Sequence, residues 1–303
     1  MSAQPAPRGA RHRRPGRKLG PIAEGTKPAH RAWLEHLRGA YHDSGLTFIQ
    51  LEKEANWPRS KISELLRAVG RYPRWQITRD LLVALRLPDP ALADIRAQWV
   101  RAAQEADKRL NWIHKALAKE RKNGLPGQRP PRDFLAFRDT HRTNYTAYAA
   151  TFQRRAGEAK QSVSDVFYLL LILWPDAVAS TRPEEYAWRL LRQTVMERAP
   201  RCDGHPALSE AAFDTRAQRE AADPLAQVVR TFDLFDAIRR LPALHLDVIV
   251  LLHLRGLRDN DVADVLGVPC ATVRAADRHA KRHLTANLRT ITQEGHPGDL
   301  TDR

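Results

Sequence analysis

The sequence predicts an all-α protein built from several helical domains. In three segments the apolar residues recur at spacings of three and four, which is typical of amphipathic helices. These segments cover residues 31–121, 133–198 and 231–290. Stretches with Pro and Gly separate them, which is typical of linkers. With 303 residues, the chain has room for two or three small domains.

The charge balance favours a polyanionic partner. The chain has 50 Lys and Arg against 35 Asp and Glu, a formal net charge of +15 at pH 7. Nucleic acid is the usual partner of so basic a protein. The two cysteines, Cys202 and Cys270, lie far apart, so we expect no disulfide framework and a reducing compartment. Neither a membrane span nor an apolar signal core is visible, so we expect a cytoplasmic protein with no membrane partner.

The segments between and beyond the helical domains lack regularly spaced apolar residues. Residues 1–30 are rich in Pro, Gly, Ala and Arg, which predicts a disordered basic tail. Such a tail either adds non-specific DNA affinity or is simply solvated, and the sequence leaves both open. We place linkers at residues 122–132 and 199–230, and a C-terminal tail at 291–303.

Residues 31–90 predict short helices around one core. Gly45 ends the first helix, Thr47 caps the second, and Trp57-Pro58 makes a tight turn before the third. A tight turn between two short helices is typical of helix-turn-helix architecture. The apolar stripe then continues over residues 91–120, which predicts one long helix. That stripe packs on the preceding domain or pairs with its copy in a homodimer.

The run GLTFIQLEKEANWPRSKISELLRAVGRYPRW resembles the phage-repressor type (Xre-like) helix-turn-helix family over about residues 32–86. The resemblance implies that the third helix enters the major groove of DNA. Its implied DNA-contacting residues are Arg59, Ser60, Lys61 and Glu64, with Arg67 toward the backbone. Two positions depart from the family pattern, Phe48 and Glu52. Glu52 stands where a small residue usually lies, so it must swing outward or loosen the helix pair. Docking of a protein is the alternative to DNA binding.

Residues 235–288 predict three or four short helices that end in a second helix-turn-helix. Asp259 is expected to cap one helix, and Gly267 to close it in a left-handed conformation. Pro269 stands near the start of the next helix, where its missing N–H is harmless. That next helix is basic.

The same segment resembles region 4 of sigma factors of the extracytoplasmic-function type. The resemblance rests on Leu241-Pro242, Gly256-Leu257, Leu266-Gly267-Val268 and Thr272-Val273. It implies that the basic helix reads promoter DNA. The implied readers are Thr272, Arg274 and Arg278, with Lys281 and Arg282 on phosphates. Two positions depart, since Ala276 replaces a frequent Arg and Asp277 a frequent buried Leu. A buried Asp is costly unless paired, so this helix is expected to be rotated or frayed.

Residues 134–197 more weakly resemble region 2 of the same sigma factors, which binds the polymerase clamp and opens promoter DNA. Phe137, Tyr148-Ala149 and Ala187-Trp188 keep the family's order. The helix around residues 168–173 is more apolar than a DNA-opening surface should be. We therefore expect the fold of region 2 rather than its activity.

Other chemistry has little support. His279 and His283 have the spacing of metal ligands on one helix, but the sequence offers no third ligand near them. Cys202-x-x-His205 is half of a zinc motif without a second half. The sequence has no phosphate-binding loop, nucleophile elbow or acid–base pair, so we expect no enzyme, no metal and no cofactor.

These observations together predict a sequence-specific transcription regulator that binds double-stranded DNA. In a sharper version it is a sigma factor that recognises promoters with core RNA polymerase. The alternative is a degenerate sigma-like interaction module that docks a regulatory partner.

Overall fold

The computed structural model describes residues 19–123, 129–209 and 233–294, and it is predominantly helical. The predicted all-α class is confirmed at this coarse level. Within the described ranges the only sheet is a hairpin of two short antiparallel strands, β1 (Arg201–Cys202) and β2 (His205–Pro206). Contacts divide the chain into two compact units, Met1–Lys108 and Arg109–Arg303.

The described part of the first unit is built from five helices. They are α1 (Pro28–Ser44), α2 (Phe48–Ala55), α3 (Arg59–Leu66), α4 (Trp75–Ala84) and α5 (Asp89–Glu105). Helix α1 packs along α5, and α2 packs on α3 and α4. Three buried tryptophans, Trp33, Trp75 and Trp99, fill the core, where their large apolar surfaces contribute most to stability.

Local chemistry sets the helix ends around α2 as predicted. Gly45 follows α1 with a φ of 63°, a left-handed conformation that glycine adopts without strain. The Thr47 hydroxyl accepts the Gln50 backbone N–H at 3.3 Å, and the Gln50 side chain accepts the Thr47 N–H at 2.9 Å. This reciprocal capping box fixes the start of α2.

The prediction of a single long helix over residues 91–120 is wrong. Helix α5 ends at Glu105, Asp107 has a left-handed φ of 56°, and α6 (Leu110–Asn123) starts afresh. The carboxylate of Glu197 accepts the backbone N–H groups of Leu110 and Asn111 at 3.1 and 2.8 Å. These bonds satisfy the N-terminus of α6 and place it in the second unit, so the first unit ends at Lys108 rather than at residue 121.

The second unit contains the remaining elements. Before the hairpin come α6, α7 (Arg132–Phe152), α8 (Ala156–Ile172), α9 (Trp174–Ala179) and α10 (Pro183–Arg198). After it come α11 (described over 233–239), α12 (Ala243–Ile249), a π-helical turn (Val250–Leu254), α13 (Asp259–Leu266) and α14 (Cys270–Glu294).

The core of the second unit is aromatic. The buried Tyr145 stacks on Phe167 with ring centroids 5.6 Å apart, and Tyr148 meets Trp188 edge to face at 4.6 Å. These contacts hold α8 and α10 against α7. The apolar stripes predicted for residues 133–198 therefore face one another, as their helical spacing requires.

The predicted linkers and tails fall largely outside the described residues, namely at 1–18, 124–128, 210–230 and 295–303. In the part that is described, residues 201–206 of the second predicted linker form the hairpin. Helix α14 continues into the predicted C-terminal tail as far as Glu294.

None of the helices in the described ranges is long and apolar enough to cross a membrane.

Candidate nucleic-acid interface

Helices α2 and α3 form a tight pair whose inner faces are apolar. Leu51 of α2 and Ile62 of α3 are buried, and Trp57 in the turn donates its indole N–H to the Asp80 carboxylate at 3.0 Å. Glu52 swings outward, one of the two outcomes predicted for it. Its carboxylate accepts the backbone N–H of Arg59 at 3.2 Å, so it satisfies a free donor at the start of α3.

The DNA-contacting residues predicted in α3 lie on the surface, but two of the cations are paired. Arg59 lies 3.5 Å from the Glu52 carboxylate, and Lys61 lies 2.8 Å from that of Glu64. Ser60 is exposed between them. These pairs leave α3 with a mixed rather than a strongly basic surface.

The fifth predicted residue of this unit, Arg67, stands at the end of α3 beside the chain that leads into α1. Its backbone oxygen accepts the N–H of Ala23 at 2.9 Å. Arg38 donates to the carbonyls of Gly20 and Leu66 at 3.0 and 2.7 Å. Residues 20–23 are thus held against the C-terminal end of α3, a contact that the sequence analysis missed.

Helices α13 and α14 form the second pair, joined by a left-handed Gly267 with a φ of 67°, as predicted. Asp259, predicted as the cap, is instead the first residue of α13. The Asp261 carboxylate accepts the Arg258 backbone N–H at 3.4 Å, a long bond. The pair packs through Val262 and Leu266 of α13, which are both buried.

Helix α14 is strongly two-sided. Its buried positions recur at spacings of three and four, and they are Val273, Ala276, Ala280 and Leu284. Four cations are exposed between them, and they are Arg274, Arg278, Lys281 and Arg282. Thr272 is half-buried at the start of the helix. The structure therefore gathers the five predicted residues of this segment on one helix, with the four cations on its solvent side.

The cations of α14 differ in their partners. Arg274 donates to the Asp259 carboxylate at 2.9 Å, and Lys281 lies 2.9 Å from that of Asp277. Arg282 lies against the His279 ring, 2.9 Å from its Nδ1. Arg278 has no carboxylate within 4 Å in the described part of the chain, so its guanidinium is the one most open to an incoming anion.

The rotated or frayed helix expected from Asp277 is not observed. Only 18% of the Asp277 side chain is exposed, but it is paired with His253 at 2.7 Å and with Lys281. Burial raises the pKa of its carboxyl, yet the hydrogen bonds from Lys281 and His253 outweigh burial and leave the pKa below its usual value. The pairing lets α14 keep the orientation that buries Val273 and Ala280.

A third histidine lies near the predicted metal-ligand pair. The ring of His245 in α12 is parallel to that of His279 at 6.0 Å and lies 6.5 Å from that of His283. Even so, no group of three His, Cys, Asp or Glu side chains in the described ranges is arranged to hold a metal ion. Cys202 and His205 lie on opposite strands of the exposed hairpin.

A buried polar network that the sequence did not predict holds α12 against α7 and α10. The buried Asp247 of α12 accepts hydrogen bonds from Tyr148 at 2.7 Å, Arg192 at 2.8 Å and Trp188 at 3.2 Å. Burial raises the pKa of Asp247, and the Arg192 cation and the donors offset part of that rise. An Asp within an otherwise apolar run was the signal that a buried partner must exist.

No protein-family model matches this chain, and a search of curated proteins finds no significant similarity. The three resemblances, to the Xre-like domain and to sigma regions 4 and 2, therefore remain predictions.

Proposed function

We propose that this protein is a sequence-specific, double-stranded-DNA-binding transcription regulator of the cytoplasm. One observation carries the proposal: α14 follows a tight turn and presents four cations opposite its buried stripe. A helix of this kind fits the major groove, where cations contact phosphates and base edges. The net charge of +15 supports the same partner.

The cations of α14 have different proposed roles. Arg278, which has no carboxylate partner among the described residues, reads a base edge, since a guanidinium can donate two hydrogen bonds to guanine. Arg274 is oriented by Asp259 and contacts DNA with its remaining N–H groups. Lys281 and Arg282 neutralise phosphates. In the first unit, Ser60 and Lys61 of α3 are the proposed second contact, with Arg59, Glu64 and Arg67 at its edges.

The test is site selection from random duplex DNA followed by titration of the selected site. Arg278→Ala and Arg274→Ala are each expected to weaken binding by about 1–3 kcal/mol and to relax the preference at one position. Lys115→Ala is the control, because it removes one exposed positive charge from α6. Unchanged affinity and preference in both Arg variants would remove α14 from the mechanism.

The dependence of affinity on salt concentration distinguishes binding to DNA phosphates from docking through apolar surfaces. If six or more phosphates are contacted, affinity should fall about a thousandfold or more between 50 and 200 mM salt. Affinity for duplex DNA that stays constant over this range would contradict the proposal.

Exposed apolar side chains in the first unit favour a second candidate, the docking of a protein partner. Ile49 of α2 is 64% exposed and Val83 of α4 is 52% exposed, while the cations Arg59 and Lys61 are paired. Core RNA polymerase is the partner that the sigma-like resemblance implies, and it implies polymerase for residues 134–197 rather than for the first unit. Co-migration of the purified chain with core polymerase, unaffected by Arg278→Ala, would support polymerase docking. Loss of co-migration in Ile49→Asp would place the contact on the first unit instead.

A further inference from the structure

A groove of about 310 Å³ lies along the α7–α8 hairpin in the second unit, away from α13 and α14. This volume is at the lower end of the range for small-molecule sites. Helix α7 contributes Arg138, Arg142 and Thr146, which share one stripe because they are four residues apart. Helix α8 contributes Lys160, Ser164 and Tyr168 by the same spacing.

The floor of the groove is apolar and partly aromatic. Phe134, Val163 and Phe167 line it, and each is less than a tenth exposed. Such a floor favours a flat ring, which gains from apolar contact and from stacking against guanidinium planes at the rim.

The rim of the groove is cationic, and its charges are only half compensated. Arg121 is paired with Asp165 at 3.1 Å and Arg138 with Asp139 at 2.9 Å. The other two cations, Arg142 and Lys160, have no carboxylate within 4 Å in the described residues. Among the described residues, the side chains that line the groove include no carboxylate. Two uncompensated positive charges match a phosphomonoester, which carries about −1.5 to −2 at pH 7.

We propose that this groove binds a small phosphorylated heterocycle, of which a mononucleotide is the simplest case. Its phosphate lies between Arg142 and Lys160 and its ring on the aromatic floor. A nucleic-acid strand is less well matched, because strand-binding channels repeat cations and stacking rings along a longer track. This inference does not depend on duplex DNA binding by α14.

The experiment is calorimetric titration of the full-length protein with the four ribonucleoside 5′-monophosphates at low salt. We expect at least one to bind with a dissociation constant below about 1 mM. The matching nucleoside and inorganic phosphate, each offering half of the contacts, should bind at least tenfold more weakly. Arg142→Ala and Lys160→Ala should each weaken nucleotide binding about tenfold or more.

Arg154→Ala and Arg155→Ala are the matched controls. They remove equal charge from the exposed connection between α7 and α8, and they should bind the nucleotide like the natural chain. Circular dichroism checks that each variant is folded. The proposal is overturned if no nucleotide binds below 1 mM, or if phosphate alone binds equally well. It is also overturned if the groove variants match the controls, or if a single-stranded oligonucleotide binds where no mononucleotide does.

Discussion

Asp247 shows how one buried charge ties distant parts of the second unit together. Its carboxylate is almost fully buried and accepts hydrogen bonds from Tyr148 in α7 and from Trp188 and Arg192 in α10. Removing Asp247 leaves the buried Tyr148 hydroxyl and Trp188 N–H without their acceptor, and it leaves Arg192, which is 28% exposed, without its counter-charge. Asp247→Ala is therefore expected to lower the free energy of unfolding by about 3–5 kcal/mol, measured by urea denaturation followed by circular dichroism.

Asp264→Ala is the control for this prediction. Asp264 is exposed on α13, so its loss should change stability by no more than about 0.5 kcal/mol. A loss below about 1 kcal/mol in Asp247→Ala would show that the network does not hold α12 in place. An Asp inside an apolar helical run predicts that its carboxylate is buried and needs hydrogen-bond partners. The sequence could not name them, because Tyr148 and Trp188 lie 99 and 59 positions earlier in the chain.

At the scale of elements, Gly267 joins α13 to α14 and also touches α10. Its φ is +67°, and a Cβ added there would lie 2.3 Å from the backbone nitrogen of Glu185. Gly267→Ala combines left-handed strain with a clash against backbone that cannot yield easily. We expect it to cost about 2–5 kcal/mol in a thermal or urea denaturation measurement.

Gly256 offers a matched comparison for Gly267. Its φ of +68° is nearly the same, but apart from its chain neighbours no atom of the described residues lies within 4 Å of an added Cβ. Gly256→Ala should therefore show the strain alone, about 1–2 kcal/mol. Equal losses in the two variants would mean that the approach of α10 to the turn is not a tight contact.

The helix ends divide into those that the sequence predicts and those that it does not. Gly45, Thr47 and Gly267 act through their own backbone or side chain, so local rules predict them. The break between α5 and α6 depends on a left-handed Asp107 and on Glu197, which caps α6 from 86 positions away. The continuous apolar stripe is equally compatible with one helix or two, so the pattern alone could not locate the break.

At the scale of the whole chain, the segments predicted as separate domains at 133–198 and 231–290 lie in one compact unit. Asp247, Gly267 and a hydrogen bond from Arg255 to Thr151 at 2.9 Å join them. The sequence suggested independence because Pro- and Gly-containing segments separate them. The two segments nevertheless pack together, because single residues make contacts between positions that are far apart in the sequence. Helix α14 is thus held on a packed body, and under the proposed function this limits the directions from which DNA could reach it.

Each compact unit also contains a histidine whose pKa is lowered because its imidazole is buried. In the first unit, burial lowers the pKa of His30 to about 4. In the second, burial lowers the pKa of His114 to about 4, with Arg198 and Arg121 contributing and Asp165 opposing. His114 lies 3.1 Å from the Thr194 hydroxyl between α6 and α10. Since an unfolded histidine titrates near 6.5, the unfolded chain binds the proton first as the pH falls.

The stability of the second unit should therefore be complete above pH 6.5 and fall as the pH approaches 4. His114 alone contributes up to about 3 kcal/mol to this loss. This loss of stability is measured by hydrogen–deuterium exchange of the α6 and α10 amides in the full chain between pH 7 and 4.5, after correction for intrinsic exchange rates. His114→Gln keeps a polar partner for Thr194 and should flatten the pH dependence, whereas His42→Gln, at an exposed site in α1, should not. An unchanged slope in His114→Gln would mean that His114 is protonated within the folded protein.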